Sequence, residues 1–176
     1  MQWAIVTYRV PQEPSRHRVA IWRELRRAGA VPLQQATWAL PVHPLTARTI
    51  DRVLTLVERA DGEAHVFDVQ PQTEEMASRL EATFIEGRED EWREFIRECD
   101  KFDEEIAHEI GSSKFTSAEL DEEEQNLERL RRWHRDLAAR DVFGAPSAAE
   151  AELRLKTSSE RLEGFAQQVF ERDGGA

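Results

Sequence analysis

The sequence predicts an α+β protein: a βαββαβ unit over residues 1–71, then an all-helical part over residues 72–176. Three observations predict it. Runs of strand formers and runs of helical periodicity alternate up to Pro71. Beyond Pro71 the apolar residues recur at helical spacing only. The turn signals PQEP (Pro11 to Pro14), Gly29 and Asp61-Gly62 fall between the periodic runs. Helices gathered on one face of a sheet in this order make a ferredoxin-like unit.

WAIVTYRV (Trp3 to Val10) is a β-branched, aromatic run of strand length. Ser15 is placed to cap the helix that follows, by accepting a bond from a first-turn backbone N–H. In that helix Ile21, Trp22, Leu25 and Ala28 recur at helical spacing and are expected to pack on the sheet. Gly29 stops it, as a residue that tolerates left-handed dihedrals does. Strand, crossover helix and strand then suggest the right-handed connection that parallel pairs require.

The segment from Val31 to Pro41 is long for one strand, and Gln34-Gln35 sits at its middle. The reading is two short strands joined by a tight bend or bulge; without the bend the order becomes βαβαβ. A second helix over about 45–60 carries Ile50, Val53, Leu54 and Val57 as its apolar stripe. The closing strand is Glu63 to Gln70. Helices follow over about 73–110, 117–139 and 147–172, with Thr73 a cap and Gly87 a candidate break. Thr116-Ser-Ala-Glu119 and Ser147-Ala-Ala-Glu150 both have the spacing of a capping box. The tail Gly174-Gly175-Ala176 is expected to fray.

Charge divides the chain. Residues 1–60 hold nine arginines and four acids, a net of +5, whereas the rest carries −16. An acidic chain is no general nucleic-acid binder, but a local basic face can still meet phosphates. Arg16, Arg18, Arg23, Arg26 and Arg27 crowd the first helix, and Arg9 ends the neighbouring strand. Arg16, Arg23 and Arg27, spaced seven and four apart, share one face. The competing reading pairs these arginines with acidic helices of the same or another subunit.

No window approaches the twenty apolar residues of a membrane span, and no signal peptide is evident. The single cysteine, Cys99, lies between Phe95 and Phe102 on a helix stripe and reads as a small buried hydrophobe. Its solitude fits a reducing cytoplasm. There is no Gly-rich phosphate loop, no GxSxG and no CxxC, so no catalytic residue, metal ligand or cofactor is assigned. Glu105-x-x-His108 has the spacing used by carboxylate-bridged metal sites, but such sites want two such pairs. Glu98, Glu105 and Glu109 share a side of their helix, and in the next helix Glu123 or Glu124 falls in the slot between Leu120 and Leu127. The five histidines show no ligand spacing; His17 lies within the basic helix.

Three stretches carry a resemblance. SRHRVAIWRELRRAGAVPLQQATWALP (Ser15 to Pro41), KFTSAELDEEEQNLERLRRW (Lys114 to Trp133) and RDVFGAP (Arg140 to Pro146) resemble the N-terminal region of the ChrB family of chromate-resistance regulators, in the family's order. A more distant likeness is to the spacer-acquisition nuclease-like fold and the matching domain of phenylacetate repressors. An acid that would hold metal there is absent here, where strand one ends Tyr8-Arg9-Val10-Pro11, so nuclease activity is not carried over. The ChrB resemblance implies a cytoplasmic regulator of a chromate-efflux operon that acts on DNA. Full-length relatives carry a further C-terminal domain, which makes a separate protein with that domain an expected partner. A homodimer is the other expected partner, because sheet edges and one bare sheet face invite self-association. The rivals are a scaffold module and a metal-dependent enzyme using the helical acids.

Overall fold

The computed structural model describes residues 1–173. Among them are four strands and five helices: β1 (Trp3–Arg9), α1 (Arg16–Arg27), β2 (Val31–Gln34), β3 (Thr37–Pro41), α2 (Pro44–Glu58), β4 (Glu63–Val69), α3 (Glu74–Gly111), α4 (Ser117–Arg140) and α5 (Ala148–Asp173). The protein is thus α+β. It forms two compact units that meet in sequence between Gly87 and Arg88. α3 runs unbroken through Gly87.

In the first unit the sheet order is β2-β3-β1-β4, and every neighbouring pair is antiparallel. The parallel pairing suggested by strand, helix and strand does not form. The chain reverses at Gln35 and Ala36, so β3 returns beside β1 and leaves β2 at the sheet edge. Pro32 is tolerated there because an edge strand has N–H groups to spare. The reversal puts Ala36 at φ 59°, the left-handed region. Its carbonyl is tied down by the Tyr8 N–H at 3.0 Å.

Alternation on the strands decides the core. Val6, Trp38 and Leu40 point to the helices, where Ile21 and Leu25 of α1 and Val53 and Val57 of α2 meet them. α1 closes as the sequence predicts. Gly29, at φ 75°, donates to Arg26, and the Ala30 N–H reaches back to the Leu25 carbonyl, so two end carbonyls are satisfied. Gly62 is needed for a different reason: a Cβ there would lie 2.5 Å from the Arg9 carbonyl oxygen.

Three local expectations fail in this unit. Ser15 sits at the N-cap position but has helical dihedrals and makes no side-chain cap. Trp22 is 46% exposed. The stripe that meets the sheet is Ile21 and Leu25, and a residue one step beyond Ile21 is turned about 100° off it. Leu54 is exposed likewise, because α2 buries Thr46, Thr49, Val53 and Val57 and Leu54 lies one step off that row. Leu25→Ala is therefore expected to cost about 2–5 kcal/mol of stability, and Trp22→Ala no more than about 0.5 kcal/mol, as for a surface position. Urea denaturation of the two variants measures the contrast.

One cap was not legible. His43 accepts the Leu45 N–H on Nδ1 while Thr46 Oγ1 accepts the His43 N–H, which makes a capping box at the start of α2. The Thr73 cap does form, accepting from Met76 N–H.

In the second unit the later part of α3 packs with α4 and α5. Phe95 is buried with its ring against Trp92, Trp133 and His134. The loop after α4 is organised by Asp141, which accepts the Trp92 indole N–H at 2.8 Å and the backbone N–H groups of Gly144 and Ala145. Thr116 caps α4 by accepting from Glu119 N–H. Ser147 is diverted from the expected box: its N–H and its hydroxyl both donate to Glu89 of α3, and the hydroxyl bond holds the Glu89 carboxyl below its ordinary range. Burial, then the neighbouring Asp103, pushes the Cys99 thiol up to about 12, so the reactive thiolate is scarce at neutral pH.

Glu123, the residue that occupies the slot between Leu120 and Leu127, is buried. Burial raises its pKa, Asn126 opposes through a hydrogen bond, and Glu105, Glu122 and Glu109 raise it further. A carboxyl whose folded pKa lies above its unfolded value stabilises most below the unfolded pKa and loses that contribution as pH rises through the folded one. Glu123→Gln is thus expected to make the protein more stable at pH 8 and to remove this part of the decline between acid and neutral pH. Thermal unfolding from pH 4 to 8 tests the sign.

Candidate anion-binding groove

The five arginines assigned from the sequence all lie exposed on α1. The helix carries one acid, Glu24, and it is engaged at 2.7 Å by Arg52 of α2. Among the described residues Arg16, Arg18, Arg23 and Arg26 make no ion pair. The helix thus presents cationic surface that its own unit does not neutralise.

The structure sorts these arginines into two sets. Arg16, Arg23 and Arg27 keep the spacing of one outward row. Arg18 and Arg26 belong to another row, four residues to either side of Trp22, and both line a groove of about 800 Å³. The opposite wall is the β2–β3 turn with Gln34, Gln35 and Ala36. The end of β1 supplies Tyr8 and Arg9, and Ser15 stands where α1 begins. Among the described residues no carboxylate lines the groove.

Each wall follows from local structure. The Gln35-Ala36 reversal brings the hairpin beside β1, and the Tyr8 N–H bond to Ala36 fixes it there. The turn of Trp22 away from the sheet places its indole in the groove instead of the core. The Arg26 guanidinium lies over that ring, 5.7 Å from its centroid, a cation–π contact. Arg9 is shared with Glu63 across the β1–β4 pair at 3.5 Å, and both side chains are largely exposed.

Two further side chains give the groove its polarity. Trp38 is 6% exposed, and its Nε1–H is buried with no acceptor in hydrogen-bond geometry. The Tyr8 phenol stands near this N–H. Burial raises its pKa, and the indole pulls it back in part. The groove therefore offers guanidinium, amide and hydroxyl donors beside an exposed aromatic face. Such a surface receives an anion rich in acceptors.

Of the residues that line the groove, the sequence reading singled out Arg18 and Arg26, as candidate DNA contacts, but not Trp38, Tyr8 or the two glutamines, and it placed Trp22 in the core. The one available signal was the PLQQATW stretch, whose polar pair interrupts a strand run. As for the helical acids, among the described residues no group of three or more His, Cys, Asp or Glu could hold a metal ion, so Glu105 and His108 gather no third ligand. No helix of the described residues is long and apolar enough to cross a membrane.

A family model described as "Protein ChrB, N-terminal" matches residues 18–175, nearly the whole chain. Among curated proteins no relative matches. The matched stretch begins at Arg18 and so takes in Trp22, Arg26 and the hairpin wall of the groove.

Proposed function

The chain belongs to the ChrB N-terminal family, and from that premise we propose that it is a non-catalytic regulatory module of chromate resistance, controlling transcription by laying α1 on DNA phosphates. The observation that carries this is the outward row of α1: Arg16 and Arg23 are exposed and make no ion pair among the described residues, and the helix's one acid is already engaged by Arg52. Phosphate contacts of this kind give affinity and orientation, while base contacts give sequence preference.

The βαββαβ order and the strand order β2-β3-β1-β4 support a ferredoxin-like reading of the first unit. β2 and β4 are sheet edges, and β4 bears the exposed Phe67, which supports a homodimer as the working form. We place the protein in the cytoplasm, with a separate protein carrying the ChrB C-terminal domain as partner.

The test is fluorescence anisotropy with two duplexes, one from the promoter of a chromate-efflux operon and one scrambled. Binding of both, tighter to the promoter, supports the regulator. A second reading has an observation behind it: the acidic balance of residues 61–176 would let the arginines serve as partners for the acidic helices of another copy. In that case neither duplex binds, and Arg16→Ala with Arg23→Ala dissociates the dimer.

A further inference from the structure

We propose that the groove beside α1 is a nucleotide site, which takes one unstacked nucleotide unit with its phosphate at the start of α1 and its base against Trp22. This goes beyond phosphate contacts on the outer arginine row and stands on different residues.

The anionic end is set by the N-terminus of α1. The helix has no side-chain cap and no acid in its first turn, so the positive end of its dipole is not compensated there. Ser15 opens onto the groove at that point, and Arg18 stands one turn further on. Backbone donors, a hydroxyl and a guanidinium together suit a phosphate.

The planar end is set by Trp22. An indole left 46% exposed beside a cavity, with Arg26 over the ring, is a stacking platform. Base edges are rich in acceptors, and the groove is rich in donors: the Gln34 and Gln35 amides on the hairpin wall, the Ser15 hydroxyl, and the Arg18 and Arg26 guanidinium groups. A purely inorganic anion would use the arginines and leave the aromatic platform idle. A neutral aromatic ligand would leave the arginines unmatched. A nucleotide uses both, and the groove volume of about 800 Å³ is that of a small-ligand site. The nucleotide could be free or one unpaired unit of a DNA strand, and the chemistry recognised is the same.

The full chain is titrated with thymidine 5′-monophosphate, thymidine, inorganic phosphate and a ten-residue oligothymidylate, by tryptophan fluorescence and calorimetry. The monophosphate should quench fluorescence and bind at least tenfold more tightly than thymidine or phosphate. Trp22→Ala should remove the quenching and weaken binding at least tenfold, and Arg18→Ala should weaken it comparably. Both positions are exposed, and unchanged melting temperatures show that each variant is folded. An oligonucleotide that binds more than tenfold better than the monophosphate assigns the site to a strand; equal affinity assigns it to a free nucleotide. The proposal is overturned if neither binds at millimolar concentration, if phosphate alone binds as well as the nucleotide, or if folded Trp22→Ala binds like the wild type. Duplex binding that persists when no nucleotide binds overturns the groove assignment alone. Nucleotide binding without duplex binding upholds the groove and removes the DNA reading.

Discussion

Replacing Arg16 and Arg23 together by alanine is expected to weaken duplex binding about tenfold or more at physiological salt, for every duplex alike. Both residues stand on the outward row of α1, exposed and without ion pairs among the described residues, so their loss leaves the fold intact. Each arginine that neutralises a phosphate releases condensed counterions, and the slope of log K against log salt is about −0.9 per contact. The double variant should therefore flatten that slope by about two units. The preference for promoter over scrambled duplex should survive, because phosphate contacts position the protein without reading bases. A variant that binds like the wild type would show that the outward row faces something other than DNA.

Phe95→Ala is expected to cost about 3–5 kcal/mol, the range for removing a buried aromatic side chain. Phe95 is fully buried in the second unit and meets Trp92 at 6.0 Å and Trp133 at 5.4 Å, both edge to face. Such pairs add about 0.5–1.5 kcal/mol to simple burial. The void would open beside the rings of Trp92, Trp133 and His134, all of which lose their contact with Phe95. Against a domain stability of about 5–15 kcal/mol, this brings the unit near its threshold. Urea denaturation followed by circular dichroism measures the loss, and a midpoint within experimental error of the wild type would contradict it.

The order of elements was legible because each signal was local. Periodicity changed at Pro71, and Gln34-Gln35 interrupted a strand run where β2 ends and the chain reverses. Strand adjacency was not legible, since it depended on which way that reversal sent β3. Trp22 shows a second limit. Hydrophobicity marks it for the core, but burial on a helix depends on angle, and one residue step turned it into the groove. Ser147 shows a third: its sequence fits a capping box, yet Glu89, distant in the chain, takes its donors. The arginine helix was visible as a basic run. The groove was not, because its walls come from β1, α1 and the β2–β3 turn, which only the folded chain brings together.

The most direct test of the account is the salt dependence of duplex binding by the wild-type chain, measured by anisotropy between 50 and 300 mM sodium chloride, a range set about the physiological value. If the outward row Arg16, Arg23 and Arg27 each meets a phosphate, log K falls against log salt with a slope of about −3. A slope near zero, or no binding at the lowest salt, would contradict the assignment of α1 to DNA.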